Sequence, residues 1–551
     1  MDKRLLLPAI LVTAFALRAA GIGYGLPHVY HQDEPMMVNH ALAIGTGDWN
    51  THYFVIPPFV SYFLFFIYGV FYLIGNAMGR FASPENFAVA FLTDPTPFYL
   101  LGRFFLSVLF GTATVAALYR LGKRHFGAET GLAAALFLAL APIHVQHSHY
   151  IYADVPVTLA VVLLFDALLL VVDTPSWKNS LLAGLWLGCG AAAKYTAVYF
   201  VPVIVLAHVL AHRRARDSAL AGLPKLIGAG VLSLAVFTAI APYTFLDWKN
   251  FVATMKLQSG GESYVGWAHH LLYSIGNGIG PVLLAMAAAG FFFGFRANAR
   301  KTAVLAAGII WFYLVNTFFS QHYARYILPL IPLLCLLAGF FPKKRLVLVI
   351  AAVSLAVPSL YLDALFLKTD TRTQCLRWFE TNAADKAVVA VDNRFFAPPL
   401  PRDPRSFAGV RDTLEEEGLD RARRLRLGLL DRTAEGRKTH AVYVLVPGGG
   451  ASGDPGFTLS GPFVEADPAS LDRIGAEYLV FNFTDFSPAV HELRSALGGR
   501  WERVERFSPY WSAAWETPRD PHATTAAPHL WTELFSRVRL GPVIEIWRKR
   551  A

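Results

Sequence analysis

The sequence predicts an α-helical polytopic membrane protein, with about eleven transmembrane helices and one interfacial helix, followed by a soluble C-terminal α/β domain. Three observations carry that prediction. Of the 551 residues, 55% are hydrophobic and only 16% are charged, against about a quarter charged in an ordinary soluble domain. Apolar runs near the ~20 residues needed to cross a bilayer recur from Leu5 to Leu367. Beyond Leu367 the chain turns rich in Arg, Asp, Glu, Pro and Gly and has no such run, which divides it into 1–367 and 368–551.

The first run, Leu5 to Ala20 behind Lys3-Arg4, has the outline of a secretory signal. Arg18 and the lack of a cleavage motif after it favour an uncleaved first span. The expected spans are 5–24, 98–121, 129–148, 151–171, 180–194, 196–211, 222–242, 271–295, 302–319, 324–341 and 345–366. A further apolar stretch, Phe54 to Ile74, decides the sidedness of everything after it. If it lies along the outer interface, the basic residues Lys123-Arg124, Lys178, Arg213-Arg214-Arg216, Arg296 to Lys301 and Lys343-Lys344-Arg345 all share the cytoplasmic side with Lys3-Arg4. If it crosses, they all fall outside, against the positive-inside rule. Its aromatic content (Tyr62, Phe63, Phe65, Phe66, Tyr68, Phe71, Tyr72) also suits an interfacial or re-entrant helix. The net charge of +10 sits in these short loops, so it orients the protein in a membrane and does not point to nucleic acid. Three cysteines, Cys189, Cys335 and Cys375, make no disulfide framework.

The same charge argument breaks residues 180–211 into two short spans that meet near Lys194 at the outer face. With the sides assigned, polar residues collect there: Asp33-Glu34, the run His147 to Asp154, Lys194, the loop Tyr243 to His270, and Gln321-His322-Tyr323-Ala324-Arg325-Tyr326. Ionisable groups this close to a bilayer point to function, and acids set among a lysine and an arginine point to a site that handles an anion.

The tail reads as strands at 387–392, 441–446, 477–483 and 542–547, with helices near 371–381, 419–430 and 488–497. Pro447 to Gly453 is Gly-rich but lacks the Lys-Ser/Thr of a phosphate loop. Glu415 to Glu417 and Arg421 to Arg426 read as the polar face of a helix.

Transfer of a sugar from a polyprenyl phosphate to a hydroxyl needs few parts. A carboxylate takes the acceptor proton. The leaving phosphate is a weak base and needs positive charge in place of an acid. One acid in the first outer loop with cations nearby suffices.

The sequence DE at 33–34, then GDWNTHYFVIPP, ADVP, AAAKYTAVYFVP and HYARYILPLIP, resembles the GT-C-fold membrane glycosyltransferases. The likeness is nearest to the protein O-mannosyltransferase-like branch that includes the lipid A aminoarabinose transferases, and it covers roughly 1–366. The resemblance implies a polyprenyl-phosphate-sugar donor, a lipid, glycan or protein acceptor, and an inner-membrane protein whose site and tail face outward. By the same resemblance Asp33 is the catalytic carboxylate, Glu34 its neighbour, and Asp154 the second acid. Lys194 and Arg325 would lie at the donor phosphate with Tyr323 or Tyr326, and His322 at the substrate pocket. Tyr53, Pro57 and Pro58 would open the interfacial helix at the pocket. Ile56 departs from relatives that carry a basic residue or His there.

Structural roles compete with each assignment. Glu34 could be a solvated neighbour, Asp154 a cap for the helix that Pro156 starts, Lys194 a snorkelling side chain and Arg325 an interfacial anchor. His147 and His149 are candidate ligands for a possible divalent metal ion, and scattered interfacial histidines are the alternative. The rival function is a transporter or flippase of a lipid-linked saccharide, which should carry its charges at mid-bilayer between repeated halves.

Overall fold

A computed structural model describes residues 3–215, 222–259, 267–318, 322–342, 344–392, 397–403, 438–446, 462–482, 488–516 and 528–550. Arg216, Gln321, Lys343, the helix expected at 419–430, both charged runs between 415 and 426, and the Gly-rich run at 447–453 lie outside the described residues.

Each apolar segment of the first 366 residues is helical. Among the described residues, seven helical stretches are long and apolar enough to cross a membrane: Phe59–Ala77, Thr96–Phe126, Asp154–Asp173, Tyr195–His212, Leu223–Ile240, Trp267–Asn316 and Arg345–Asn382. Leu5–Ala19, Ala128–Leu140 and Ala324–Ala338 are shorter apolar helices, and Trp177–Ala193 packs among them. Two of the expected spans, 271–295 and 302–319, run on in one helical stretch whose path breaks at Gly280 (φ 73°, ψ 159°), inside the first of them, and at Asn298 (φ −160°, ψ 94°).

The span expected at 129–148 is not continuous. It stops at Leu140, Ala141 is extended (φ −66°, ψ 116°), and a short helix, Pro142–His147, restarts at the proline. The proline ring disfavours helical backbone in the residue before it. Small residues let the helices close up. A Cβ on Gly184 would lie 2.2 Å from the carbonyl oxygen of Ala229, so the 177–193 and 223–240 helices meet backbone to backbone, as membrane helices often do.

Two apolar clusters organise this part. One runs through the bundle, with Phe137, Phe165, Phe200, Phe312 and Leu333 at its centre. The other is built from the first loop: Met37, Val38 and Ala41 of the Glu34–Ile44 helix pack on Ile56, Val60, Leu64 and Tyr68, and on Phe98, Leu106, Ile151 and Ala153. Phe59–Ala77 is long and apolar enough to cross a bilayer. Its inner side joins this second cluster, and Phe66, Val70, Leu73 and Ile74 stay exposed on the other side.

After Leu367 the described residues form a six-stranded sheet. The strands are β1 (Val388–Val391), β2 (Ala441–Val446), β3 (Phe463–Glu465), β4 (Tyr478–Asn482), β5 (Trp501–Phe507) and β6 (Ile544–Lys549), in the order β3-β2-β1-β4-β6-β5. The first four are parallel, and β6 runs antiparallel to β4 and β5. Alternation decides what each face buries. Val389, Val391, Val444 and Val480 face the Thr371–Asn382 helix through Leu376 and Phe379. Ala390, Leu445, Leu479 and Phe481 face Leu471, Val490 and Leu493 of the helices Pro468–Ile474 and Pro488–Ala496.

Candidate active site

Four charged side chains from distant parts of the chain form one connected cluster. Asp33 stands at the start of the Glu34–Ile44 helix, where its side chain makes no capping hydrogen bond. Its Oδ2 lies 3.2 Å from a terminal nitrogen of Arg325. Arg325, in the 3-10 turn Ala324–Leu330, also sets its Nε 3.9 Å from Oδ2 of Asp154. Asp154 is the first residue of the Asp154–Asp173 helix, and its Oδ1 accepts a 2.6 Å hydrogen bond from Lys194 Nζ.

Lys194 reaches the cluster because the chain breaks there. It is extended (φ −155°, ψ 129°) between the helix that ends at Ala193 and the turn Tyr195–Phe200. That break coincides with the one the charge pattern demanded. The lysine and arginine side chains are each 13% exposed, against 16% for Asp33 and 3% for Asp154. The cluster is therefore largely dry, with Asp33, Lys194 and Arg325 each keeping some contact with solvent.

Aromatic rings wall it. The Arg325 guanidinium carbon lies 4.4 Å from the ring centre of Tyr323, 5.1 Å from Tyr152 and 5.8 Å from Tyr326. Lys194 Nζ lies 4.8 Å from Tyr326 and 5.8 Å from Tyr152. Cation–π contact of this kind holds a desolvated cation in place. Asp33 Oδ2, Asp154 Oδ2 and Arg325 Nε are buried and have no hydrogen-bond partner among the described residues. Unmatched buried polar atoms are rare in a finished core and call for an explanation. Here they face one another across a charge-balanced set of two acids and two bases, an arrangement suited to a polar, anionic guest.

Glu34 is placed differently. It is fully buried, and both of its oxygens accept from Arg103, at 2.8 Å from Nε and 2.6 Å from a terminal nitrogen. A third bond comes from the backbone N–H of Ile151 at 3.0 Å. Arg103 also donates to the carbonyls of Ile22 and Tyr24, each at 2.7 Å. Glu34 is thus neither a solvated neighbour nor a member of the cluster. It ties the first loop to the helix that follows it, and its carboxylate is fully engaged.

Tyr53 is half-buried and stacks on His40 at 5.0 Å, and burial pushes its phenol up, with the Asp33 carboxylate adding to the effect. Pro57 and Pro58 are buried, Pro58 caps the Phe59–Ala77 helix, and Ile56 packs into the apolar cluster beneath. His322 lies among His269 and His270, with ring centres 5.6 and 5.4 Å away.

Among the described residues, no group of three or more His, Cys, Asp or Glu side chains is arranged to hold a metal ion. His149 does not fit a ligand, because its ring nitrogens lie 2.8 and 2.7 Å from the carbonyl oxygens of Val145 and Ala20. His147 is half-buried, its ring edge-on to Tyr150 at 6.4 Å.

Tyr152 was not singled out by sequence, and His31 takes a place other than the metal site its histidine neighbours suggest. Tyr152 walls both cations, and its place two residues before Asp154 in the run His147 to Asp154 was the available signal. His31 stacks on Tyr150 at 4.2 Å and accepts the Asp33 N–H at Nδ1, 3.3 Å away. Burial pulls the His31 imidazole down to about 3, with Arg325 and Arg103 reinforcing it against Glu34, so the ring is neutral and serves as an acceptor.

The family described as dolichyl-phosphate-mannose-protein mannosyltransferase matches this chain over residues 98–243, a segment that holds Asp154 and Lys194. No curated protein matches the chain. Among solved structures it is similar to ArnT from Cupriavidus metallidurans. In the apo state the identity is 14% and the TM-score 0.50, over 91% of this chain and 95% of that one. Bound to undecaprenyl phosphate, the same protein aligns at 13% identity and a TM-score of 0.51, over 98% and 97%. The likeness shows that the fold is the GT-C fold.

Proposed function

We propose that this chain is a membrane glycosyltransferase that takes a sugar from a polyprenyl-phosphate carrier and transfers it to a hydroxyl of a lipid, glycan or protein on the outer face of the cell membrane. The observation that carries the reading is the unbroken line Asp33–Arg325–Asp154–Lys194, contributed by four separate elements. The distribution of basic loops supports the sidedness and the interfacial setting of the Phe59–Ala77 helix. A shared fold with a protein whose structure holds undecaprenyl phosphate supports the class of donor.

The roles follow from charge. Arg325 and Lys194 take the donor phosphate, and as the bond from the anomeric carbon to the phosphate oxygen breaks they meet the charge that collects on it. Asp33 takes the proton of the acceptor hydroxyl as the oxygen bonds to that carbon. The reaction ends with a glycoside, a free polyprenyl phosphate and a protonated Asp33 that yields its proton to water. Asp154 holds Lys194 and Arg325 at the separation a phosphate can bridge. Arg325 pairs with Asp33 in the structure and turns to the phosphate when donor binds, which frees the carboxylate to act as base. Tyr323, Tyr326 and Tyr152 confine both cations, with Tyr53, Pro57, Pro58 and His322 around the sugar and acceptor. Glu34 positions the loop and touches no substrate.

The test uses purified full-length protein in detergent with polyprenyl-phosphate sugars and candidate acceptors, product being followed by mass spectrometry. The reading expects glycosylated acceptor and free polyprenyl phosphate in equal amounts. A protein that moves the lipid-linked sugar across vesicles but forms no product in detergent would overturn it. A chelator in the same assay decides metal dependence.

A further inference from the structure

The region after Leu367 reaches back to the loop that carries Asp33. Asp370 caps the Thr371–Asn382 helix, and its carboxylate accepts from Arg372 at the backbone N–H (2.8 Å), Nε (2.9 Å) and a terminal nitrogen (2.8 Å). Its second oxygen also accepts from the Tyr24 hydroxyl at 2.9 Å. The Arg372 guanidinium lies 3.8 Å from the centre of the Tyr30 ring, and the Tyr30 hydroxyl lies 2.6 Å from Thr373 Oγ1.

Tyr24, Tyr30, Asp370 and Arg372 are buried, and Thr373 is half-buried. Between the two tyrosines Gly25 turns at φ +72°, with Tyr30 packed 2.8 Å from where a Cβ would stand. From Tyr30 the chain reaches Asp33 in three residues, through His31. The opposite side of the loop is held by Arg103 through the carbonyls of Ile22 and Tyr24. A second fastening lies elsewhere: His529 Nε2 meets the Ser274 carbonyl at 2.9 Å, and Trp531 bonds twice to Asn277 over Gly280.

We propose that the C-terminal region braces the catalytic loop, with Arg372 as a positioning residue that sets Asp33 through Tyr24 and Tyr30. The inference rests on Asp33 being the base. Residues 20–33 form turns and lack a helix or strand of their own, so their conformation depends on what grips them. Arg372 supplies a planar guanidinium that stacks on Tyr30 and forks onto Asp370, which an ammonium cannot copy. A displacement of about 1 Å at a reacting group costs on the order of 10²-fold in rate.

The experiment measures kcat, donor KM and melting temperature for full-length Arg372→Ala, Arg372→Lys, Tyr24→Phe and Val480→Ala, with Asp33→Asn alongside. Val480 lies in the core of the sheet, facing the Thr371–Asn382 helix through Leu376 and Phe379 but making none of the Arg372, Tyr24 or Tyr30 contacts above, and reports the effect of destabilising the region alone. The brace predicts that Arg372→Ala lowers kcat roughly 10–100-fold with donor KM little changed. Arg372→Lys fails to restore the rate, and Tyr24→Phe loses about three- to tenfold. Val480→Ala lowers the melting temperature and keeps kcat.

Normal kcat in Arg372→Ala, or an equal loss of kcat in Val480→Ala, overturns the brace. Where Arg372→Ala does not fold, Tyr24→Phe decides, and an unchanged kcat there overturns it as well. If Asp33→Asn turns over normally, the base assignment falls. If it is inactive while the Arg372 variants are normal, only the brace falls.

Discussion

Glu34 meets Arg103 through hydrogen bonds of 2.8 and 2.6 Å and takes a third from Ile151, with both side chains sealed from solvent. Asp33, one residue earlier, meets Arg325 at 3.2 Å, and its Oδ2 is left without a hydrogen-bond partner among the described residues. The two acids share a sequence neighbourhood, and each has its own basic partner from far along the chain. They differ in how much of each carboxylate's capacity is used. A paired and fully bonded carboxylate has nothing left for a substrate, and its removal strands a charge. One with spare capacity beside underused cations is built for a guest. A third cluster lies toward the other end of the Asp154–Asp173 helix, from ~18 Å (Asp166) to ~28 Å (Asp173) away at 1.5 Å per residue. There Arg124 and His125 hold Asp166 at 2.7 and 3.1 Å, and Lys301 holds Asp173 at 2.7 Å. It resembles the Glu34 pair in being satisfied.

The sharpest way to break the contrast is to neutralise each acid in turn. Asp33→Asn should cost roughly 10²–10⁴ in kcat, the usual worth of a general base, with the melting temperature close to that of the parent. Next in size, Arg325→Ala and Lys194→Ala should each cost about 10²–10³, as for loss of one donor to a developing anion; steady-state kinetics with saturating donor checks both. Glu34→Gln should act on folding first, losing about 3–5 kcal/mol because Arg103 stays buried without its charge partner. Chemical denaturation measures that loss, and replacing the pair together with apolar residues should recover much of it.

A fourth effect depends on pH. The His31 imidazole titrates near 3 in the folded chain and near ~6.5 when unfolded. Its neutral burial therefore favours folding above ~6.5 and loses about 1.4 kcal/mol per pH unit as pH falls between those values. His31→Gln should flatten that slope. The smallest effect is at the far cluster, where Asp166→Asn should cost about 1 kcal/mol or less, since Arg124 is a third exposed, and leave turnover unchanged.

The helices were readable because an apolar run of bilayer length has few other fates, and the basic loops supply the sidedness proposed for them. The convergence of Asp33, Asp154, Lys194 and Arg325 was readable for a related reason, since a charge in an apolar stretch needs a partner. The same rule applied to Arg103 inside the expected span 98–121 would have flagged it, but nothing local names a partner 69 residues away. Pro142 carried the signal for the break in the 129–148 run, and apolarity on both sides of it hid the signal. In the tail, β1, β2, β4 and β6 were expected from their apolar cores. Strand β5, WERVERF, is mostly charged because arginines and glutamates on its exposed positions pair across to β6, and β3 is only three residues long.

The most direct test separates holding the donor from using it. Binding of a polyprenyl-phosphate sugar is measured by calorimetry in detergent for Asp33→Asn and Arg325→Ala, and transfer is assayed on the same samples. The account predicts that Asp33→Asn binds donor like the parent and forms no product, while Arg325→Ala loses affinity as well as turnover. Product from Asp33→Asn at the parent's rate, or undiminished donor affinity without Arg325, would contradict it.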